Sequence, residues 1–454
     1  RVKTVHLSFK REGFNMNNRS ALHHVVIVGG GAGGLELATS LGNSIGRKQQ
    51  ARVTLIDASL THVWKPLLHE VAAGSMDSSS NEVNYRVHAK RHGFEFQLGR
   101  MQGLNREEKQ VVVEPLLDES GAIVVEARSI NYDTLVIAVG STANDFGTPG
   151  AAENCIFLDS LEQARKFHRH LLNSYLKAEY DAEKKQKHSL DIAIIGAGAT
   201  GVELAAELHL ASQELPVYGL SHLKEKDVHI SVIEAADRIL PALPEHLSNA
   251  ATRELKELNI NVMAGQRVTN ITENDIEFAN GESLSASIKV WAAGIKAPEF
   301  LTQLDGLETN RINQLVVRQD LQTTYDKNIF AFGDCASCPQ SGKDQPVPPR
   351  AQAAHQQAST LVKSIKLRLN NKQAIPYVYQ DRGSLISFSR YTAVGNLMGN
   401  LTGKNLMVEG RIARLFYISL YRMHQVALHG VFRTSLIWLS DKISKALHPR
   451  LKLH

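Results

Sequence analysis

The stretch HVVIVGGGAGGLELA, residues 24–38, decides the fold. It passes from a β-branched segment through a glycine-rich turn into a helix-like segment, with Gly29, Gly31 and Gly34 in the G-x-G-x-x-G frame. Glycine is needed there for a tight turn, for backbone approach to a pyrophosphate and for close helix packing. The pyrophosphate lies at the helix N-terminus, where free N–H groups favour negative charge. The stretch therefore predicts a dinucleotide-binding unit.

A second stretch of the same kind, DIAIIGAGATGVELAAEL, covers residues 191–208. Gly196, Gly198 and Gly201 occupy the same frame, again between a β-branched segment and a helix-like segment. One such motif indicates one dinucleotide. We therefore expect this chain to hold two dinucleotides face to face, so that electrons can pass between them.

An acidic residue ends the strand that follows each glycine motif. Asp57 ends RVTLID and Glu234 ends VHISVIE, in the position where a carboxylate accepts hydrogen bonds from ribose hydroxyls. A solvated acid at the end of a strand is the alternative interpretation. Glu234 also repels the 2′-phosphate of NADP, so NADH is the predicted ligand of the second unit. Arg238, four residues later, is a nearby charge that would weaken this preference.

Alternating strand and helix patterns predict an α/β protein with two Rossmann-like units built on parallel sheets. The strands YDTLVIAV and IKVWAA end next to Gly140 and Gly294, in corresponding positions of the two units. The segment NIFAFGDCAS, residues 328–337, returns to the pattern of the first unit. We therefore predict that the second unit is inserted within the first. The predicted divisions are a disordered N-terminal extension (1–21), the first unit (22–150), the second unit (151–325), the remainder of the first unit (326–409) and a helical tail (410–454).

The tail carries the basic character of the chain. The formal net charge is +5, and residues 411–454 contain eight Lys or Arg residues against one acid. Apolar residues recur there at helical spacing, which predicts an amphipathic helix. The uncharged runs are shorter than the ~20 apolar residues that a membrane span needs, so we expect a helix that lies on an anionic lipid surface. A helix that packs on a partner subunit is the alternative, and no module typical of nucleic-acid binding is present. The recurring apolar residues are Leu436, Leu439, Ile443 and Leu447.

Three cysteines, Cys155, Cys335 and Cys338, cannot form a disulfide framework, which indicates a reducing compartment. Cys335 and Cys338 form a C-x-x-C pair, compatible with a redox pair or with half of a metal site. No second pair completes a zinc site. We therefore predict two buried small side chains and no metal site.

Two further segments carry candidate chemistry. Gln352, His355 and Gln356 are spaced i, i+3 and i+4 in PPRAQAAHQQA, which places them on one side of a helix. Amides and an imidazole suit hydrogen bonds to carbonyl oxygens and proton delivery, although a polar helix surface is the alternative. Gly333 and Asp334 follow a strand, where a carboxylate suits the ribityl and pyrophosphate groups of a flavin, or caps the next helix.

Seven segments together resemble the type II, single-subunit NADH:quinone oxidoreductases. The resemblance extends from about Leu22 to the C-terminus. Related flavoprotein reductases share the glycine motifs but not the A-Q-A-A-H-Q segment or the basic tail. The segments are KPLLHEVAAG, IGAGATGVELAAEL, RILPALPEHLS, VWAAGIKAPEFL, GDCASC, VPPRAQAAHQQAS and GRIARLFYISLYRMH.

The resemblance implies FAD at the first glycine motif and NADH at the second. It also implies flavin contacts around Lys65, a role for Glu203 between nicotinamide and flavin, and quinone approaching beside Gln352, His355 and Gln356. From its position alone, Glu203 also fits simple stabilisation of the first helical turn. The predicted cofactor-binding residues are Gly29, Gly31, Gly34, Asp57, Lys65, Gly140, Gly196, Gly198, Gly201, Glu234, Gly294, Gly333 and Asp334.

The expected reaction is hydride transfer from NADH to the flavin, followed by reduction of a quinone to a quinol. The cofactor carries the chemistry, and the protein supplies position and electrostatics. Without a membrane span we expect no proton pumping, and we expect a peripheral enzyme on the cytoplasmic face of a bacterial inner membrane. A homodimer is also compatible with the sequence. The alternatives are a soluble reductase of a small iron protein and an NADH-sensing flavoprotein with slow turnover.

Overall fold

A computed structural model describes residues 22–76, 82–184, 186, 189–388, 392–398 and 405–447. The predicted disordered extension, residues 1–21, lies outside the described residues, as does the end of the predicted tail, residues 448–454.

Two five-stranded parallel sheets form the frame of the molecule. The central strand His24–Val28 is buried at every position, as expected when helices cover both sides of a parallel sheet. In chain order the strands are β1 (His24–Val28), β2 (Arg52–Asp57), β3 (Glu95–Leu98), β4 (Thr134–Ile137), β5 (Ile156–Phe157), β6 (Leu190–Ile195), β7 (Val228–Glu234), β8 (Asn261–Ala264), β9 (Ile288–Trp291) and β10 (Ile329–Ala331).

The strand order confirms that the second unit is inserted in the first. The first sheet has the order β10–β4–β1–β2–β3, and the second has the order β5–β9–β6–β7–β8. β10 follows every strand of the second sheet in the chain, yet it pairs in parallel with β4, with Leu135 opposite Ile329 and Ile137 opposite Ala331. The chain therefore leaves the first sheet after β4, builds the second sheet, and returns to the edge of the first.

Helices cover the sheets and lead into the tail. Leu161 begins a long helix, because Ser160 and Gln163 form a capping box at its N-terminus. The helices are α1 (Ala32–Leu41, continued by a π-helical turn Gly42–Gly46), α2 (Leu68–Ala73), α3 (Tyr85–His92), α4 (Ala151–Asn154), α5 (Leu161–Glu183), α6 (Ala199–Glu214), α7 (Glu245–Glu257), α8 (Ala351–Leu369) and α9 (Gly410–Leu447).

The tail forms two helical segments that meet at Gly430, whose φ of 76° and ψ of 166° interrupt α9. Before α9, a three-stranded antiparallel sheet is formed by β11 (Gly383–Phe388), β12 (Thr392–Met398) and β13 (Asn405–Glu409). Among the described residues, no helix combines the length and the hydropathy that crossing a membrane requires.

Short strands and 3₁₀ turns complete the units. The paired strands are Thr61–His62 with Val83–Asn84; Met101–Asn105 with Gln110–Val113 and Arg128–Asn131; Leu116–Leu117 with Ile123–Val125; Thr142–Ala143 with Ile295–Lys296; Val268–Ile271 with Asp275–Phe278 and Ser283–Ser285; and Leu315–Val316 with Ala336–Ser337. The 3₁₀ turns are Lys65–Leu67, Leu215–Tyr218, Glu225–Asp227, Glu299–Gln303 and Gly333–Cys335.

Candidate functional site

The first glycine turn shows why each of its three glycines is required. Gly29 has a φ of +100°, and a Cβ there would lie 2.3 Å from the carbonyl oxygen of Ala138. A Cβ at Gly34 would lie 1.9 Å from the carbonyl oxygen of Gly29, so any larger residue would push α1 away from β1. At Gly31 a Cβ would meet no atom within 4 Å. Gly31 therefore presents bare backbone to open space at the N-terminus of α1, where a pyrophosphate is favoured.

The second glycine turn repeats this geometry. Gly196 has a φ of +106°, and a Cβ there would lie 2.5 Å from the backbone nitrogen of Ala293. A Cβ at Gly201 would lie 2.0 Å from the carbonyl oxygen of Gly196, whereas one at Gly198 would meet nothing within 4 Å. The two turns therefore form equivalent cradles, each with an open N-terminal helix end.

The acids that end β2 and β7 accept hydrogen bonds from the backbone of the neighbouring glycine turns. Oδ2 of Asp57 accepts a hydrogen bond from the N–H of Gly30 at 2.6 Å. Oε2 of Glu234 accepts from the N–H of Ala197 at 3.0 Å, in the corresponding position. Burial raises the pKa of Asp57, against the effect of its backbone hydrogen bonds. Both carboxylates lie beside the glycine turns, where the sequence analysis expected ribose contacts.

Arg238 does not lie toward Glu234. Its Nη2 donates to the carbonyl oxygen of Pro241 at 3.2 Å. Oε1 of Glu234 meanwhile accepts from the N–H of Ala236 at 3.0 Å. The guanidinium is therefore hydrogen-bonded within its own loop.

Four predicted flavin contacts come together after β4 and β10. Nζ of Lys65 donates to the carbonyl oxygen of Ser141 at 2.8 Å, and the hydroxyl of Ser141 donates to Asp334 at 3.0 Å. Gly140 and Gly333 both have a φ of +74°, so each turn depends on glycine. Burial raises the pKa of Asp334, while the bond from Ser141 and the charge of Lys65 lower it. The cluster forms a polar wall beside the first cradle.

These residues fit a flavin dinucleotide. The open backbone at Gly31 fits the pyrophosphate, Asp57 the ribose and the buried carboxyl of Asp334 the ribityl hydroxyls. Gln357, which the sequence analysis missed, accepts a hydrogen bond from the N–H of Gly333 at 2.9 Å and fixes the turn that carries Asp334.

Glu203 lies where the two units meet. It is buried in α6, the helix of the second cradle, and its Oε1 accepts from the N–H of Ser387 in β11 at 3.1 Å. Its Oε2 lies 3.8 Å from Nδ1 of His69 in α2, just after the Lys65 segment. Burial lowers the pKa of His69 to about 4, so this imidazole is neutral near pH 7. Glu203 therefore places a buried carboxylate at the contact between the two units.

A group of side chains beside Glu203 has spacing suitable for a metal ion. One ligand atom each from His69, Glu70 and Glu207 lies within 4.8 Å of the others. The prediction of no metal site rested on the cysteines alone. No local pattern indicates this group, because α2 and α6 are brought together only by folding. Ser75 donates a hydrogen bond to Glu207 at 2.7 Å, so part of the group is already used within the protein.

On α8, the amides of Gln352 and Gln356 hold the main chain before β11. Gln352 donates to the carbonyl oxygen of Gly383 at 2.9 Å and accepts from the N–H of Arg382 at 3.0 Å. Gln356 donates to the carbonyl oxygen of Gln380 at 2.8 Å and accepts from its N–H at 3.0 Å. The second N–H of Gln352 lies 3.3 Å from Asp381 Oδ1.

His355, which the sequence analysis grouped with these glutamines, pairs with a different element. Its Nδ1 lies 2.5 Å from Oε2 of Glu36 in α1. Oε1 of the same carboxylate lies 2.7 Å from Nδ1 of His424 in α9, and Nε2 of His424 lies 3.0 Å from Nε2 of His62. The sequence analysis missed Glu36, His424 and His62. The signal available was a charged residue inside the otherwise apolar segment GGLELA.

A pocket of about 280 Å³ opens beside this histidine cluster, between α3 and α9. The ring of Trp64 lies over that of His424, with their centroids 4.1 Å apart. The residues that line the pocket are His62, Trp64, Glu82, Val83, Asn84, Val87, His88, Arg91, Tyr421, His424, Gln425, Leu428, His429 and Ile437.

Cys335 and Cys338 are buried thiols, as predicted. The Sγ of Cys335 donates to the carbonyl oxygen of Phe332 at 3.3 Å. Burial raises the pKa of Cys335 to about 11 and that of Cys338 to about 12. Neither side chain is a thiolate near neutral pH, which is the form that redox chemistry and metal binding require.

Comparisons with known proteins agree with this geometry. Residues 23–358 match the model of the pyridine nucleotide-disulphide oxidoreductase family. The chain is 49% identical over 446 residues to a type II NADH:quinone oxidoreductase of Haemophilus influenzae, which covers 95% of this chain and 100% of that protein. It is 30% identical over 389 residues to the type II NADH:quinone oxidoreductase of Staphylococcus aureus, which covers 84% of this chain and 91% of that protein.

Solved structures show the same fold. NDH2 from Plasmodium falciparum in complex with NADH superposes with a TM-score of 0.78 at 19% identity, covering 95% of this chain and 100% of that chain. The sulfide:quinone oxidoreductase of Aquifex aeolicus superposes with a TM-score of 0.69 at 19% identity, covering 93% and 95%. At these identities the likeness concerns the fold alone. Sequence identity and family match together carry the assignment: the chain belongs to the type II NADH:quinone oxidoreductases, within the pyridine nucleotide-disulphide oxidoreductase family.

Proposed function

We propose that the protein is a peripheral membrane flavoenzyme that oxidises NADH, reduces a membrane quinone to a quinol and pumps no protons. The observation that carries the proposal is the pair of equivalent cradles in one chain, with the buried carboxylate of Glu203 where the two units meet. When bound, FAD supplies a ring that accepts a hydride and passes two electrons to the quinone.

The first cradle is proposed to hold FAD. The backbone at Gly31 receives the pyrophosphate, Asp57 receives the ribose, and Asp334 receives the ribityl chain. Lys65 and Ser141 support this choice, because their hydrogen bonds fix the wall that carries Asp334. Gly29, Gly34, Gly140 and Gly333 set the backbone turns on which these contacts depend.

The second cradle is proposed to hold NADH. Gly196, Gly198 and Gly201 receive the pyrophosphate, and Gly294, with a φ of +65°, forms the turn after β9. Glu234 binds the ribose hydroxyls and repels a 2′-phosphate. Glu203 lies at the boundary between the two units and is proposed to orient the nicotinamide. The hydrogen bond from the N–H of Ser387 fixes the position of its carboxylate.

The quinone is proposed to approach the flavin along α8. The amide nitrogen of Gln352 has two acceptor oxygens within reach, on Asp381 and Gly383. Among the described residues, the amide nitrogen of Gln356 donates only to the carbonyl oxygen of Gln380. Gln356 therefore keeps an N–H for a quinone carbonyl oxygen. His355 supplies a proton to the quinone, because Glu36 raises its pKa and favours the protonated imidazole.

The second half of α9 is proposed to lie on the lipid surface at the cytoplasmic face of a bacterial inner membrane. Phe432 is 77% exposed, and the side chains of Leu436, Leu439 and Ile443 are exposed along the same helix. Nζ of Lys442 lies 4.2 Å from the ring centroid of Trp438. Exposed apolar residues next to cations are what an interfacial helix requires.

Steady-state kinetics with two kinds of acceptor test the proposal. The full-length protein in detergent should oxidise NADH rapidly when a short-chain quinone is the acceptor. A small iron protein should be reduced slowly under the same conditions. Rapid reduction of the iron protein with negligible quinone turnover would assign the chain to the alternative class, and negligible turnover with both would favour an NADH sensor.

A further inference from the structure

One buried carboxylate lies between imidazoles from two distant parts of the chain. Glu36, in the helix of the first cradle, places Oε2 2.5 Å from Nδ1 of His355 and Oε1 2.7 Å from Nδ1 of His424. The side chains of Glu36 and His424 are buried, whereas that of His355 is 37% exposed. The carboxylate therefore joins the proposed quinone helix α8 to the C-terminal helix α9.

The hydrogen bonds of His62 fix the protons on this cluster. Nδ1 of His62 lies 3.0 Å from the carbonyl oxygen of Gly30 and must donate to it. Burial lowers the pKa of His62 to about 3, so its other nitrogen is unprotonated and accepts. Nε2 of His424, 3.0 Å away, is then the donor. Nδ1 of His424 faces the Glu36 carboxylate at 2.7 Å and donates a hydrogen bond to it.

His355 depends on the same carboxylate. The hydrogen bond and charge of Glu36 raise the pKa of His355, and the two histidines lower the pKa of Glu36. Nε2 of His355 makes no hydrogen bond to the residues that the structure describes. The protonated imidazole therefore holds one N–H in the Glu36 contact and one that is available to a ligand.

We propose that Glu36 is a counter-ion shared by His355 and His424, through which the C-terminal helix sets how readily His355 gives a proton to the quinone. Glu36 and His424 are positioning residues, since they act through His355. The inference rests on the proposed function and adds a link between the membrane-facing helix and the quinone site.

The protons and electrons of the step balance. NADH supplies a hydride, which carries two electrons and one proton, and quinone reduction needs one further proton. The Nε2–H bond of His355 breaks as an O–H bond of the quinol forms, and the exposed Nε2 then regains a proton from water. The hydrogen bond from His424 takes part of the negative charge of Glu36, which makes His355 the stronger acid.

Other charged groups surround the pair. Arg382 faces His355, and His88 and His429 face His424 from α3 and α9. Arg91 and Arg433 lie near His429, while Glu82 at the pocket wall is paired with Arg165 at 2.6 Å. Glu36 is thus the acid that contacts both imidazoles.

The test compares the pH dependence of quinone reduction in the full-length wild type, E36Q and H424Q. Each protein is first reduced with NADH, and its reoxidation by a short-chain quinone is followed by stopped flow across the pH range. Loss of a counter-charge typically changes a titration by about one pH unit. In E36Q the decline of the rate with rising pH should therefore occur at lower pH. In H424Q the same decline should move to higher pH, because His355 no longer shares its counter-ion.

H88Q is the matched control. His88 lines the same pocket but is bonded to Thr39 rather than to Glu36, at 2.8 Å. Its profile should match that of the wild type, and flavin reduction by NADH should be equal in all four proteins. Unshifted profiles in E36Q and H424Q, or shifts in the same direction, would overturn the inference.

Two further outcomes are distinguishable. If E36Q does not retain flavin, the pH profile of H424Q decides the question. A reoxidation rate that does not decline at higher pH in H424Q than in the wild type would then reject the inference. If the NADH-reduced wild type is not reoxidised by quinone at any pH, the proposed function itself fails, and the inference fails with it.

Discussion

The hydroxyl of Ser141 donates a hydrogen bond to the buried carboxyl of Asp334 at 3.0 Å and joins the turns that follow β4 and β10. These turns belong to parts of the chain separated by the whole second unit. Their contact places Asp334 beside the first cradle once β10 has returned to the sheet, where we propose that it contacts the flavin.

Asp334→Ala should therefore weaken flavin binding. The variant removes the proposed ribityl acceptor and leaves the hydroxyl of Ser141 without its carboxyl partner. A lost hydrogen bond to a charged group costs about 1.5–3 kcal/mol, which corresponds to at least tenfold weaker retention of FAD. The flavin-to-protein ratio after gel filtration measures the effect. Ser141→Ala, which keeps the carboxylate, should retain most of the flavin; equal ratios in both variants and the wild type would contradict the assignment.

Glu234 should determine the preference for NADH over NADPH. Glu234→Ser removes the charge that repels a 2′-phosphate, and the ratio of kcat/KM for NADPH to that for NADH should rise about tenfold, the effect of ~1.4 kcal/mol. Arg238→Ala is the control, because the Arg238 guanidinium bonds to Pro241 and should not affect the ratio. If only Arg238→Ala changed this ratio, the assignment of the NADH preference to Glu234 would be wrong.

Gln356→Ala should slow quinone reduction and spare the first half-reaction. Loss of one hydrogen bond to the quinone carbonyl costs about 0.5–1.5 kcal/mol, so reoxidation of the NADH-reduced enzyme should fall several-fold. Flavin reduction by NADH should be unchanged in stopped-flow traces. Lys363→Ala, an exposed position further along α8, should affect neither step. Equal losses in both half-reactions would mean that Gln356 stabilises the fold and does not bind the quinone.

Replacing Leu436, Leu439 and Ile443 with glutamine should release the protein from lipid. The three side chains are exposed on one helix, and burying a leucine or isoleucine side chain contributes about 1.5–3 kcal/mol each. Sedimentation with vesicles that contain anionic lipid should drop more than tenfold, while activity with a short-chain quinone in detergent persists. Unchanged sedimentation of the triple variant at high salt would exclude this face as the membrane contact.

The sequence predicts the fold well because its signals are local. Each glycine motif lies between a buried strand and a helix within about 15 residues, and the φ values of Gly29 and Gly196 agree with the turn that the pattern requires. The return of β10 to the first sheet was also predictable, since the segment before Asp334 repeats the pattern that closes each unit.

The histidine cluster was not predictable in the same way. Glu36 and His424 are 388 positions apart, and no local pattern relates a residue in the first cradle to one in the tail. Helical spacing alone placed His355 with Gln352 and Gln356. The packing of α8 against α1 gave His355 a buried partner that its neighbours lack. Helical spacing predicts which residues lie on the same face of a helix, but tertiary contacts decide what each side chain binds.

Electron transfer between the two cradles is tested most directly by the visible spectrum of the purified full-length protein under anaerobic conditions. The protein should be yellow, and its flavin absorbance should be bleached by NADH and restored by added short-chain quinone. A colourless protein, or a coloured one whose spectrum does not respond to NADH, would contradict the central claim that the two cradles pass electrons from one nucleotide to the other.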